Sequence, residues 1–477
     1  MIPPLWTGSE AAIAMHAAVN GRLPHAITGI SIDTRTLAPG DLFFAIQGDA
    51  RDGHDFVETA VQKGAAGAVV ASSRAEHFVG TGTLFVVDDV LAAMRALGVA
   101  ARASTAAAIV AVTGSVGKTG TKEALRLVLS RQGRTHASIA SYNNHWGVPL
   151  TLARMPRESA FGVFEIGMNH AAEIAPLARM VRPHVAIVTT VEPVHIEHFR
   201  SVHGIADAKG EIFAGLEPGG TAVINRDNPH FERLKAHAGA SRTGRILTFG
   251  EHESADIRAE RIVTRPDVTL VEARAFGEAF TYRLGMPGRH IALNSLSVLA
   301  AVHALGADLA LAALALADLQ PPTGRGERIV LDRGDGPMVL VDESYNANPA
   351  SMRAMLQTIG GLDLGFRGRR IAVLGDMLEL GPEGPALHAG LVESIVAHGV
   401  DLVFAAGPLM QDLWNALPPE RRGAYAATSG DLADEVAAAL RPGDVVAVKG
   451  SRGIKMERVV ERLKARFAAP AERAAGE

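Results

Sequence analysis

The sequence predicts an α/β protein of three domains. A small mixed α/β N-terminal domain is followed by a central P-loop domain with a doubly wound, mostly parallel sheet, and then by a C-terminal Rossmann-like α/β domain. Three observations carry this expectation. Its 477 residues exceed what a single hydrophobic core supports. From about residue 106 the order strand, glycine turn, helix repeats, which reads as a parallel sheet covered by helices. The alternation halts at Pro321-Pro322-Thr323-Gly324 and then restarts, as a linker between two sheets would have it.

Residues 1–105 alternate short apolar runs with turn residues. The runs 27–32, 41–46, 65–70 and 83–87 read as strands, with Pro39-Gly40 and Gly53 between them. In 106–322, the run 107–112 is continuously apolar and of strand length. It leads through a glycine turn into a helical segment with Leu125, Val128 and Leu129 on one face. Residues 161–166, 185–190 and 221–224 read as further buried strands, with helices near 171–181 and 205–216. A hairpin-like insert is expected around 268–284, then an alanine-rich helix over 291–305. In 323–477 the strands are expected at 338–341, 371–374, 402–405 and 445–448, helices lie between them, and a frayed tail follows about residue 468.

Composition narrows the function classes. Hydrophobic residues are 48% and charged residues 21%, the balance of a globular chain rather than a disordered one. A net charge of −4, without a block of like charges, excludes the basic face of a nucleic-acid binder. There is no cysteine, so disulfides, thiolate metal sites and cysteine nucleophiles are excluded. The start lacks a signal-peptide pattern, and no apolar stretch reaches the roughly 20 residues that span a bilayer. A cytoplasmic protein without membrane insertion is the expectation.

The strongest local signal is Thr113-Gly114-Ser115-Val116-Gly117-Lys118-Thr119-Gly120. A buried strand enters a glycine turn, and Lys-Thr then opens a helix. Glycines let backbone N–H groups approach phosphate oxygens, the helix N-terminus favours negative charge, and a lysine there pairs with terminal phosphates. The Thr119 hydroxyl is placed to ligate Mg²⁺. Only two residues separate Gly114 from Gly117, against four in the usual pattern; a purely structural strand-to-helix turn is the competing reading.

Glu165 ends a predicted strand, and His195 follows the end of another. Ligands of open α/β sheets sit outside the carboxyl ends of strands, so both side chains should face the phosphates held by Lys118. A carboxylate suits a hard cation and an imidazole tolerates one, although a histidine in such a turn also serves as a surface or capping residue. Lys209, by itself, reads as an ordinary helix-surface lysine. Asp342-Glu343-Ser344-Tyr345-Asn346-Ala347-Asn348-Pro349 follows a strand of the last domain. It suits nucleotide or substrate contacts, or equally a solvated turn with a proline opening the next helix.

Taken together, the short P-loop, Tyr142-Asn143-Asn144-His145-Trp146-Gly147-Val148-Pro149, Glu165-Ile166-Gly167-Met168-Asn169-His170, Lys209-Gly210-Glu211-Ile212-Phe213 and residues 342–349 resemble the Mur ligases over nearly the whole chain. The Ser-Tyr-Asn-Ala-Asn-Pro stretch is similar to that of members acting on UDP-N-acetylmuramoyl-tripeptide and D-alanyl-D-alanine, in cytoplasmic peptidoglycan synthesis.

The resemblance implies a full set of roles. The first domain (1–105) would hold the UDP-sugar through Ser31, Thr34, Arg35, Phe44, Gly48, Asp52 and His54, with Asn143 and Asn144 positioning the peptide. The central domain (106–322) would bind ATP, with Asn294 at the adenine. Thr119, Glu165, His195 and a carbamylated Lys209 would ligate two Mg²⁺ ions. The third domain (323–477) would close on ATP through Arg325, Glu343 and Asn346, and meet the dipeptide through Asn348, Asp376, Lys449 and Arg452. Lys118, Glu165, His195, Lys209 and Arg325 would form the catalytic set, in a monomer. Val116 and Glu343 depart from the residues usual at their places. The competing readings are a relative that adds a single amino acid, a folylpolyglutamate-type ligase, and a P-loop ATPase that needs no acceptor.

Overall fold

The computed structural model describes residues 4–467 except 49–50, 140, 195, 333–335 and 366. The expected tail beyond 468 and the candidate ligand His195 lie outside the described residues. Among those described, the strands form three sheets of five, nine and six members, ordered along the chain.

The first sheet runs, edge to edge, Ala18–Asn20, Leu84–Val87, Gly67–Ala71, Asp41–Phe44, Gly29–Ser31, and is parallel apart from its first pair. Its alternating side chains feed two cores: Leu42 and Phe44 pack on one face, Phe43 and Ala45 on the other, the period-2 pattern of a strand covered on both sides.

The central sheet places Ala108–Thr113 between Phe161–Glu165 and Val185–Val188, all parallel. Val110 and Val112 join the core under the helices Lys118–Ser130 and Arg289–Ala304, while Ile109 and Ala111 join the core on the opposite face. The predicted hairpin is present as Thr269–Ala275 paired antiparallel with Glu278–Leu284. It does not stand apart: together with Ile257–Thr264 it extends the parallel sheet at one edge. The helix expected over 171–181 begins only at Ile174. Ala172 adopts φ +67°, and the Glu173 carboxylate accepts from the N–H groups of Asn169 and His170, so a turn occupies its first residues. The segment expected as one helix over 205–216 splits into Val202–Gly210 and a 3₁₀ turn, Glu211–Gly215. The Glu211 carboxylate there reaches across to the N–H groups of Ala172 and Ala175.

The third sheet runs Glu327–Leu331, Met338–Glu343, Val445–Lys449, Arg370–Gly375, Leu402–Ala406, Arg422–Ala426, with only the first pair antiparallel. Both edge strands escaped the sequence analysis. They are half-exposed and lack the continuous apolar run that marks a central strand.

First and central domains are tied by specific donors. The Trp6 indole N–H donates to Ala153 O (2.9 Å) and Arg154 Nε to Ile30 O (2.6 Å). The buried Arg102 guanidinium donates to Val181 O and Arg182 O, each at 2.8 Å. Leu150 and Ala153 of the helix Gly147–Ala153 complete the first domain's core. The link to the third domain turns on Gly324, whose φ of +72° favours glycine. No helix among the described residues is long and apolar enough to cross a membrane.

Candidate active site

The phosphate loop is shaped by close approach as much as by backbone freedom. A Cβ at Gly114 would lie 1.9 Å from Thr189 Oγ1, and one at Gly117 2.5 Å from Asn294 Nδ2. Glycine is therefore required at both places. The neighbouring strand's end binds the loop: Ser115 N–H donates to Thr190 O (2.9 Å), and Thr189 Oγ1 donates to Val116 O (2.6 Å). Ser115 Oγ donates to Glu192 O and accepts from Glu192 N–H, both at 2.9 Å. Thr113 ends the strand, fully buried, and does not line the cavity between the central and third domains.

Lys118 opens the helix Lys118–Ser130, and its Nζ donates back to Gly114 O at 2.7 Å. Burial pushes its pKa down; Glu165 opposes this and Arg325 adds to it. Thr119 Oγ1 donates to Glu165 Oε2 (2.9 Å) and lies 3.4 Å from Ser141 Oγ. Asn143 Nδ2 donates to Glu165 Oε1 (2.7 Å). The buried carboxylate thus joins the P-loop hydroxyl to the Asn143 loop. Lys209, taken by itself as a surface lysine, is in fact buried. Its pKa is held well below the ordinary lysine value by burial and then by the charge of Lys118.

The third domain presents its own strand ends to the same space. Glu343 and Lys449 are register partners on adjacent parallel strands, and Lys449 Nζ donates to Glu343 Oε2 (3.0 Å) and to Asn346 O (2.9 Å). The pKa of His290 is lowered by burial, against the pull of Glu343. The Arg325 guanidinium carbon sits 4.2 Å from the Tyr345 ring centroid, and Nη2 donates to Ser141 Oγ at 3.4 Å. Arg452 lies 5.1 Å from the same centroid and donates from Nη1 to the Tyr345 hydroxyl at 2.8 Å.

Most of these groups, with Gly114 and Lys209 not among them, line one cavity of about 750 Å³ between the two domains, the size of a nucleotide-class ligand site. On the central side it takes in the loop from Ser115 to Gly120, with Asn143, Glu165 and Asn294. On the third-domain side it takes in Arg325, Glu343, Asn346, Asn348, Lys449 and Arg452.

Other predicted residues lie elsewhere or are committed to the fold. The Asp376 carboxylate is buried behind the cavity wall and accepts from Leu409 N–H (3.2 Å) and Met410 N–H (2.8 Å), holding the start of the helix Met410–Ala416. Its burial raises its pKa. Asn348 lines the cavity, yet its side chain caps the helix Pro349–Gly360 in a reciprocal bond pair with Ser351. Asn144 Oδ1 accepts from the N–H groups of Trp146 and Gly147.

The first-domain residues form a separate patch. The Phe44 ring is core. His54 is buried between Asp52 Oδ1 (2.6 Å) and Ala71 N–H (3.0 Å). Ser31 bonds the backbone of Asp33, Thr34 O accepts from Lys63 Nζ (2.7 Å), and Arg35 pairs with Asp33 in solvent. Gly48 brings this patch to the Asn143–Asn144 loop: a Cβ there would lie 3.0 Å from the Trp146 ring.

Sequence analysis missed Ser141, Glu192 and His290 as cavity residues, and gave Tyr345, within the 342–349 stretch, no role of its own. Burial pushes the Glu192 carboxyl's pKa up, with Arg353 of the third domain opposing. Only its place just beyond a strand end could have singled it out.

Comparison with known proteins covers all three domains. Residues 26–93 match the Mur ligase family catalytic domain, 112–302 the Mur ligase middle domain, and 324–452 the Mur ligase glutamate ligase domain. The UDP-N-acetylmuramoyl-tripeptide–D-alanyl-D-alanine ligase of Escherichia coli is 34% identical over 94% of this chain and 96% of its own length. The crystal structure of MurF from Acinetobacter baumannii superposes with TM-score 0.82 at 28% identity, covering 96% of this chain and 99% of that one. MurF from Thermotoga maritima in complex with ADP gives 0.74 at 26% identity, covering 92% and 97%.

Proposed function

The chain belongs to the Mur ligase family, and on that premise we propose that it joins D-alanyl-D-alanine to UDP-N-acetylmuramoyl-tripeptide at the expense of ATP, making a peptidoglycan precursor. The observation that carries this reading is the pairing of two walls across one cavity. A P-loop lysine and a buried carboxylate stand on one side, three cationic groups on the other.

Amide formation from a carboxylate needs a better leaving group than oxide. ATP transfers its γ-phosphoryl group to the tripeptide's terminal carboxylate, giving an acyl phosphate and ADP. The dipeptide amine attacks the acyl carbon, loses a proton, and phosphate departs with the C–O bonding pair. Lys118 and Arg325 stabilise charge on the transferring group, and the rest of the catalysis is positioning. Asn294, packed on Gly117, and the Glu343–Lys449 pair border the adenosine. Lys449 and Arg452 offer cations to the dipeptide carboxylate. Asn348 and Asp376 serve this wall by holding helices rather than by touching substrate. The first-domain patch from Ser31 to His54 receives the UDP-sugar, and Asn143 and Asn144 carry its peptide towards Glu165.

The donor set fits magnesium. Thr119 Oγ1 and the Glu165 carboxylate converge at 2.9 Å as hard oxygen donors, and they would hold the ion with His195. Magnesium would supply neutralisation of the phosphate charge. Lys209 suits carbamylation, since burial disfavours its charged form and a lysine amine freed of its proton is nucleophilic towards CO₂. The product is an anion able to ligate a second ion.

Phosphate release is measured with Mg·ATP and each substrate alone and together. Release that requires both, with a UDP-pentapeptide by mass, is the expected result. Release with no acceptor sinks the ligase reading.

A further inference from the structure

We infer that Tyr345 is a positioning residue that sets the spacing of Arg325 and Arg452 and so couples the phosphate side of the reaction to the dipeptide side. The inference rests on the proposed ligase reading. Two guanidinium groups share this one ring, at 4.2 Å and 5.1 Å from its centroid. Like charges this close repel, and the negative face of an aromatic ring offsets that repulsion while holding each cation in place. The two are held by different parts of the side chain. Arg325 has the ring alone, whereas Arg452 also donates to the hydroxyl at 2.8 Å. Its other side-chain donors make no hydrogen bond among the described residues, which leaves an edge of the guanidinium for a carboxylate.

The ring is itself anchored. Tyr345 N–H donates to Gly324 O at 3.1 Å, and a Cβ on Gly324 would lie 3.2 Å from Tyr345 Cβ. The tyrosine therefore packs directly on the linker residue that precedes Arg325. From Arg325 the contact continues to Ser141 Oγ, which lies 3.4 Å from Thr119 Oγ1 in the P-loop. One side chain of the third domain thus places a cation against the phosphate loop and another towards the acceptor.

The hydroxyl and the ring have separable tasks, and the full-length chain tests them by steady-state phosphate release. Tyr345→Phe is expected to raise KM for D-alanyl-D-alanine about tenfold, with kcat and KM for ATP within about twofold. In Arg452→Ala the same change should have no further effect, because the hydroxyl acts through that arginine. Tyr345→Leu removes the ring and is expected to lower kcat about 30-fold, a loss that Tyr345→Phe does not share. Identical kinetics for Tyr345→Phe and the parent overturn the inference, as does a proportional fall in every parameter alongside the melting temperature. If the parent releases phosphate without dipeptide, the ligase reading itself has failed. Calorimetry then decides the Arg325 half: loss of the ATP-over-ADP preference in Tyr345→Leu supports it, and an unchanged preference overturns it.

Discussion

On the central wall of the cavity Thr119 and Glu165 are buried, Lys118 and Asn143 half-buried, and all four are held by short hydrogen bonds, whereas on the third-domain wall the two arginines rest on one aromatic ring and stand partly in solvent. Glu165 takes bonds of 2.9 Å and 2.7 Å from Thr119 and Asn143, and Lys118 is tied to its own loop at 2.7 Å. Arg325 and Arg452 have π contacts at 4.2 Å and 5.1 Å, and Arg452 is exposed. The central wall is organised before any ligand arrives. The other wall supplies charges whose aim depends on how the third domain sits. This division suits a reaction that must bind one nucleotide tightly and then admit two further substrates.

The contrast can be broken at either wall. Lys118→Met removes the half-buried cation of the phosphate loop, and kcat/KM should fall by about 10³-fold or more; an effect below tenfold would mean that the loop does not carry the chemistry. Arg325→Lys keeps the charge but loses the planar stack on Tyr345, and kcat should fall about 30-fold, with nucleotide binding by calorimetry little changed.

Lys209→Met should separate function from stability. It abolishes ligation, yet it should stabilise the free protein by about 1–2 kcal/mol at neutral pH, since burying a lysine costs either a desolvated ammonium or the work of removing its proton. The lysine's folded-state pKa lies below its unfolded one, so the full penalty applies below the folded pKa and is relieved as pH rises towards the unfolded value. The stability difference between variant and parent should therefore shrink as pH rises towards the ordinary lysine pKa of about 10.4, and thermal unfolding followed from neutral to alkaline pH checks it. A difference that does not vary with pH contradicts the assignment.

Asp376→Ala should cost about 1 kcal/mol through the lost helix-start bonds, with KM for the dipeptide within about twofold once folded protein is assayed. A large KM effect would return Asp376 to the substrate site. Arg35→Ala is the smallest: its pair with Asp33 is exposed and screened by water, so no measurable change in stability is expected. An increase in KM for the sugar nucleotide without a stability change would mark Arg35 as a ligand contact.

By itself the sequence determined the parts that depend on local order. The apolar strand, the two glycines and Lys118-Thr119 place a phosphate loop at a strand end, because turn chemistry and hydrophobic period are local properties. The restart of alternation after Pro321 likewise marked a second sheet, and the spaced motifs marked the family. The tertiary structure decided what each polar side chain does when distant segments meet. Sheet order sets Ala108–Thr113 between Phe161–Glu165 and Val185–Val188, and only this neighbourhood brings Glu165 to Thr119 across 46 residues and buries Lys209. The same long-range packing turned Asp376 towards a distant helix start and set Tyr345 under two arginines, whereas Asn348 caps the helix it precedes through a local bond to Ser351. A carboxylate or an amide reads alike in sequence whether it meets a substrate or a backbone N–H, because the competing donors come from segments brought close only by the fold.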